Sequence, residues 1–110
     1  MGTFTPKALV PVTQLTASAG TSVYTQPASV TSIVRTIHVI AASAAKTFTL
    51  SFGADAAATR LFDAYALTAN VPSIFNGWWV TPGTHAAHEI DANASAVTSV
   101  QLIVSGYEWQ

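Results

Sequence analysis

The sequence predicts an all-β fold, a single antiparallel β-sandwich of about eight strands, for which jelly-roll connectivity is one arrangement. β-branched and aromatic residues alternate with Thr, Ser and Ala along most of the 110 residues. Gly, Pro, Asn and Asp interrupt this pattern about every 8 to 12 residues, as turns between short strands do. The length suits one domain, so we assign residues 1–110 to a single sandwich.

The first half of the chain predicts four strands. The first covers residues 9–16 and contains Pro11, which favours a sheet edge because proline donates no backbone hydrogen bond. Residues 1–7, ahead of it, predict an N-terminal arm. The other three strands are predicted at residues 21–26, 31–41 and 47–52.

Two of these strands differ in how their side chains are distributed. In residues 47–52 the apolar side chains Phe48, Leu50 and Phe52 share one face, which predicts one buried and one solvent-facing side. In residues 31–41 apolar side chains fall on both faces, with Ile33 on the same face as Ile37. We therefore expect both faces of that strand to be covered at least in part.

The second half predicts four more strands, at residues 60–67, 74–80, 85–92 and 96–107. A turn is predicted at residues 93–95, before the last of them. In that last strand, Val100, Leu102 and Val104 are expected to face inward.

Charge and composition exclude several classes of function. Four basic residues against five acidic ones give a net charge of −1, so we expect neither nucleic acid nor an anionic membrane as a partner. The chain has no cysteine, which excludes disulfides and thiolate metal sites. Because no apolar run approaches membrane-spanning length and the start is unlike a signal peptide, we expect a soluble protein that is not secreted by the general route.

Residues 85–91 contain side chains that can bind a metal, but their spacing does not suit a metal site. His85, His88, Glu89 and Asp91 are suitable ligand types, but extended backbone places the two histidines on opposite faces of a strand. The sequence also lacks a Gly-x-Ser-x-Gly elbow and a glycine-rich phosphate loop. We therefore predict a protein that is not an enzyme, with no catalytic residue, no metal and no cofactor.

The aromatic residues are more informative. Trp78 and Trp79 are consecutive in a predicted strand, so they face opposite sides of a sheet and cannot both enter the same core. With Tyr107 and Trp109 they are candidates for contacting a sugar ring or a neighbouring protein. The alternative is that the second tryptophan covers a sheet edge within the monomer. Since only 8% of residues are charged, the composition also favours self-assembly.

The order of strand and turn segments resembles small β-sandwich virion proteins of tailed bacteriophages, particularly those of actinobacterial hosts. The resemblance spans residues 8–108, and it is carried by residues 15–18, 24–28, 31–37, 47–55, 59–64, 76–80 and 104–108. It implies a structural protein of the virion that is assembled in the bacterial cytoplasm. Among such roles we predict a capsid decoration protein, present as a homo-oligomer such as a trimer, with the major capsid protein or tail proteins as partners.

The resemblance also leaves alternatives. A small tail component and a carbohydrate-binding module for host glycans both suit a sandwich of this size. Under the virion interpretation, Arg35 and Arg60 would hydrogen-bond to Asp63 or to a neighbouring subunit. Otherwise, these two arginines occupy solvent-exposed strand positions.

Overall fold

A computed structural model describes residues 2–18, 20–27, 29–42, 44–53, 59–81, 89–96 and 99–110. These residues form an all-β structure, as the sequence predicts. The eight strands are β1 (Phe4–Gln14), β2 (Ser22–Thr25), β3 (Thr31–Ala41), β4 (Lys46–Phe52), β5 (Arg60–Leu67), β6 (Ser73–Thr81), β7 (Glu89–Ala94) and β8 (Val100–Trp109).

The strands form two antiparallel sheets of four. One sheet has the order β1-β8-β3-β6 and the other the order β2-β7-β4-β5. This is the strand order of a jelly roll, in which two Greek keys are folded into facing sheets. The predicted fold class is therefore confirmed, and the connectivity is the jelly roll named as one arrangement. None of the described segments forms a helix long and apolar enough to cross a membrane.

Several strand boundaries differ from those expected. β1 begins at Phe4, and Phe4, Thr5, Pro6 and Lys7 all pair with β8, so these residues extend a sheet instead of forming an arm. Backbone hydrogen bonds between Thr3 and Gln110 continue this pairing. The sequence does not predict a strand at residues 4–7, because the polar residues and the proline there are not typical of strand interiors.

The seventh strand is also displaced from its prediction. β7 runs through Ala94, so the turn expected at residues 93–95 is wrong: Asn93 and Ala94 pair with β4. The start of the predicted strand at residues 85–92 lies largely outside the described residues.

The core fills the space between the sheets. Most of its fully buried side chains are apolar and come from both sheets, as the alternation of strand residues requires, and the polar Ser32 and Ser51 are buried with them. They include Phe48 and Leu50 of β4, Ile37 of β3, and Leu102 and Val104 of β8. Burying each of these side chains stabilises the fold by about 1.5–3 kcal/mol.

A β-bulge in β3 changes which side chains reach this core. Arg35 has no register partner on either neighbouring strand, and the register shifts between Val34 and Thr36 on both. An extra residue reverses the facing of all that follow, so Val34 and Ile37 both enter the core cluster. The expectation that Ile33 shares the face of Ile37 is therefore wrong, although Ile33 is itself covered.

Aromatic side chains close one side of the sandwich, between the edge strands β5 and β6. Phe62 of β5 lies 4.5 Å from Phe75 of β6, measured between ring centres, and Tyr65 lies 5.4 Å from the same ring. Phe48 continues the cluster into the core at 5.1 Å from Phe62. The two sheets are thus joined along this side by ring contacts.

A polar network joins the sheets near the opposite side. The hydroxyl of Tyr24, on β2, donates a hydrogen bond of 2.8 Å to Oε2 of Glu108, on β8. Because the Tyr24 hydroxyl donates its proton to Glu108, its oxygen accepts a hydrogen bond of 2.6 Å from Ser32 Oγ. Lys7 Nζ lies 3.3 Å from both carboxylate oxygens of Glu108 and completes the network. Burial, with the hydrogen bond to Glu108 and its charge, raises the pKa of Tyr24 to about 12.

Candidate functional site

Most of the predicted contact residues meet on one surface. This surface is the outward face of the β1-β8-β3-β6 sheet, where register places Trp109 opposite Phe4, and Tyr107 opposite both Pro6 and Ile33. Alternating side chains of β8 point to opposite faces, so Tyr107 and Trp109 share the outward one. The sheet pairing thus brings the two ends of the described chain into one patch.

The aromatic side chains of this surface form a groove. Phe4 lies 4.3 Å from Trp109 and 6.1 Å from Tyr107, measured between ring centres. We define the outer groove as the cavity of about 290 Å³ that Phe4, Arg35, Trp78 and Tyr107 line. It is more apolar than polar, with a single charged group among these lining residues, which is the usual composition of a ligand site.

A second, more open cavity adjoins the outer groove. Its volume is about 570 Å³, and it shares Arg35 and Tyr107 with the outer groove. Its other lining residues are Pro6, Lys7, Ala8, Ser105 and Gly106. The shared residues make the two cavities parts of one longer depression across the sheet face.

Arg35 stands at the centre of this depression because of the bulge. Its Nε donates a hydrogen bond of 3.0 Å to the carbonyl oxygen of Gly77. Its guanidinium carbon lies 4.8 Å from the centre of the Trp78 ring, within the range of a cation–π interaction. The bulge therefore turns the charged side chain of Arg35 outward, between Trp78 of β6 and Tyr107 of β8.

The two consecutive tryptophans separate as strand geometry requires. Trp78 is 59% exposed on the outward face, whereas Trp79 packs against the core and lies 6.2 Å from Phe52. The Trp79 ring covers Gly77, where an added Cβ would lie only 2.6 Å from it. Glycine at this position gives the inward indole the room it needs.

Arg60 does not join this surface. It lies on β5, in the other sheet, and its Nη1 is 3.4 Å from Oδ1 of Asp63. The pairing with Asp63 considered from the sequence is present. Because both groups are partly or largely exposed, it contributes at most about 1 kcal/mol to stability.

The segment with the possible metal ligands, residues 85–91, lies only partly within the described residues. His85 and His88 lie outside the described residues, while Glu89 and Asp91 share one face of β7. A hydrogen bond to Asp91, partial burial and the charge of Asp91 raise the pKa of Glu89. Within the described part of the chain, no three His, Cys, Asp or Glu side chains are grouped as a metal site would need.

Comparison with known proteins adds no relative: no protein family, curated protein or solved structure matches the chain. The functional argument therefore depends on the residues of the surface itself.

Sequence reasoning missed two contributors to this surface. The sequence predicts an arm at Phe4 and Lys7, because the first predicted strand begins at residue 9, whereas β1 begins at Phe4. The local signal for a strand is Phe4 followed by Thr5. This signal is weak, because Pro6 and Lys7 are both uncommon in strands. The pairing with β8 that places both residues joins segments about 100 positions apart.

Proposed function

We propose that this protein is a structural component of a bacteriophage virion, a capsid decoration protein present in symmetric copies and without enzymatic activity. The observation that carries the proposal is the apolar surface of edge strand β6. There, Ile74, Trp78 and Val80 all face outward and are each more than half exposed. A soluble domain seldom leaves such a set uncovered unless another molecule covers it.

The lack of protection along this edge supports assembly. Exposed edge strands are usually blocked by charged residues or proline, because their free backbone groups can pair with another chain. The segment Ser73–Thr81 contains neither, whereas β1, the other edge of the same sheet, contains Pro6, Lys7 and Pro11. We therefore place the contact with neighbouring subunits or capsid protein along β6.

The fold and the composition are compatible with this role. Jelly rolls are common in viral capsid proteins and in lectins, although a fold by itself does not define a function. With 8% charged residues and a net charge of −1, neighbouring copies would repel one another little when crowded on a particle.

The first test is to find the protein in particles. Peptide mass spectrometry of purified particles from the source phage should detect the chain, and gold-labelled antibody should mark the capsid surface in electron micrographs. Label on the tail would favour a tail component instead. Absence of both peptides and label would overturn the virion role.

A matched pair of variants tests the place of contact. Val80→Ser should reduce incorporation into particles, because it removes apolar area from the β6 edge. Val12→Ser serves as the control, since Val12 is similarly exposed but lies on β1 at the opposite edge. Equal incorporation of both variants would place the contact elsewhere.

A second candidate function is carbohydrate binding. The exposed Trp78 beside the outer groove favours it, because flat aromatic surfaces are suited to sugar rings. Such a module could belong to a decoration or a tail protein. If glycans bind, addition of glycan should shift the fluorescence of the wild-type protein and not that of Trp78→Phe.

A further inference from the structure

We infer that the outer groove binds an acidic carbohydrate, with Arg35 pairing its carboxylate and the aromatic side chains packing against its sugar rings. The inference rests on the second candidate function, carbohydrate binding at this groove, and does not depend on the virion role. It specifies the ligand by charge as well as by shape, which neither candidate function above does.

The charge of the groove is uncompensated. Arg35 is the one charged residue among those described as lining the smaller cavity. Among the described residues it forms no ion pair, and it donates one hydrogen bond, from Nε to Gly77. The other charged lining residue of the depression, Lys7, is already paired with Glu108. The two terminal nitrogens of Arg35 thus keep their donors for a ligand.

Arg35 is also held in place before any ligand arrives. The hydrogen bond to Gly77 fixes one side of the guanidinium, and the Trp78 ring at 4.8 Å supports its face. A guanidinium group that is already ordered loses little conformational entropy when it pairs with a carboxylate. Lysine at the same position would retain the charge but lose the guanidinium group and the stacking.

The position on the sheet favours a sugar over a peptide. The depression crosses the face of the sheet, and its lining residues come from β1, β8, β3 and β6, which pair with one another in that order except at the bulge residue Arg35. An extended peptide would find no row of free backbone partners on this face, whereas it would find one at a sheet edge. A sugar instead presents C–H faces to Phe4, Trp78 and Tyr107, and its hydroxyls stay in contact with water because the groove is open.

The size of the depression suits more than one ring. Ligand sites in proteins commonly have volumes of about 300–1,000 Å³. The outer groove, at about 290 Å³, lies at the lower limit, and the adjoining cavity adds about 570 Å³. A short oligosaccharide can therefore place its acidic ring at Arg35 and extend toward Ser105.

Titration calorimetry with two matched oligosaccharides tests the inference. We expect the wild-type protein to bind an oligomer of glucuronic acid at least about tenfold more tightly than a glucose oligomer of equal length, because a carboxylate paired with arginine adds a charge-assisted bond. Arg35→Gln should remove this preference. Arg60→Gln is the matched control and should bind like the wild type, since Arg60 lies on the other sheet and pairs with Asp63.

Two further variants keep the test decisive. Arg35→Lys should bind more weakly than wild type despite its charge. Trp78→Ala should lose binding of both oligomers, and because Trp78 is more than half exposed, it supplies a folded variant if Arg35→Gln unfolds. Circular dichroism and amide NMR spectra establish the fold of each variant.

Several results would overturn the inference. These are no binding of the acidic oligomer, equal affinity for the acidic and neutral oligomers, or unchanged affinity in Arg35→Gln. Equal affinity for an oligoglutamate peptide of the same charge would show that the groove selects charge alone. The assay uses the isolated protein, so its failure does not bear on whether the protein is found in particles.

Discussion

The buried hydroxyl of Tyr24 is a sharp test of how the two sheets are joined. Tyr24→Phe removes one oxygen atom and leaves the ring in the core. It deletes the hydrogen bond of 2.8 Å to Glu108 and the bond of 2.6 Å to Ser32.

The magnitude follows from the two bonds. A neutral hydrogen bond contributes about 1 kcal/mol to stability, and a bond to a charged group contributes about 1.5–3 kcal/mol. Phenylalanine has no hydroxyl to bury, which offsets part of this sum. We expect a net loss of about 2–3 kcal/mol, which for a domain of this size lowers the Tm by about 10 °C.

Urea denaturation followed by tryptophan fluorescence measures the loss. Tyr65→Phe is the matched control, because Tyr65 is 41% exposed and its contacts are with aromatic rings, so its change should stay within about 0.5 kcal/mol. Glu108→Gln in a double-mutant cycle with Tyr24→Phe should show coupling. A Tyr24→Phe protein as stable as the control would refute the reasoning.

The same network predicts a dependence on alkaline pH. The folded-state pKa of Tyr24, about 12, is above its ordinary value of 10.0, so its contribution is complete below pH 10.0 and is lost as pH rises toward about 12. The stability advantage of wild type over Tyr24→Phe should therefore shrink across that interval. An advantage that stays constant there would show that the hydroxyl is not shielded.

Three other substitutions test separate features. Phe48→Ala should cost about 3–5 kcal/mol in chemical denaturation, because Phe48 is fully buried; a cost below about 1 kcal/mol would mean that the core is not where we place it. Gly106→Ala should prevent folding by circular dichroism, since its Cβ would lie well inside contact distance of the Ile33 carbonyl oxygen; a folded, equally stable variant would contradict the close approach of β8 to β3. Glu89→Gln should raise the Tm near neutral pH and not in acid, because the raised pKa of Glu89 means that its charged form opposes folding; an unchanged Tm at both pH values would show no repulsion from Asp91.

Local sequence patterns are sufficient to predict the positions of most of the strands. The bounds predicted for residues 31–41 and 60–67 are those observed, because residues 31–41 are rich in β-branched side chains and residues 60–67 carry the aromatic side chains Phe62 and Tyr65. The separation of Trp78 from Trp79 also follows from strand periodicity alone. Where the local signal was polar, as at Lys7, the strand was missed.

Features that depend on partners distant in sequence could not be predicted. The bulge at Arg35 leaves no mark on composition, yet it decides that Val34 enters the core and that Arg35 faces the outer groove. The bond between Tyr24 and Glu108 joins residues 84 positions apart. Such contacts are set by the strand order of the sheets, which periodicity along one strand does not encode.

The position of the last two strands has a consequence for how the chain reaches its native state. β8 separates β1 from β3 in one sheet, and β7 separates β2 from β4 in the other, so the strands latest in sequence are central in both. Until they arrive, β1 and β2 have no sheet to join. During synthesis, folding must therefore wait for β7 and β8 to leave the ribosome, and the apolar faces of the earlier strands remain open to chaperones or to aggregation until then.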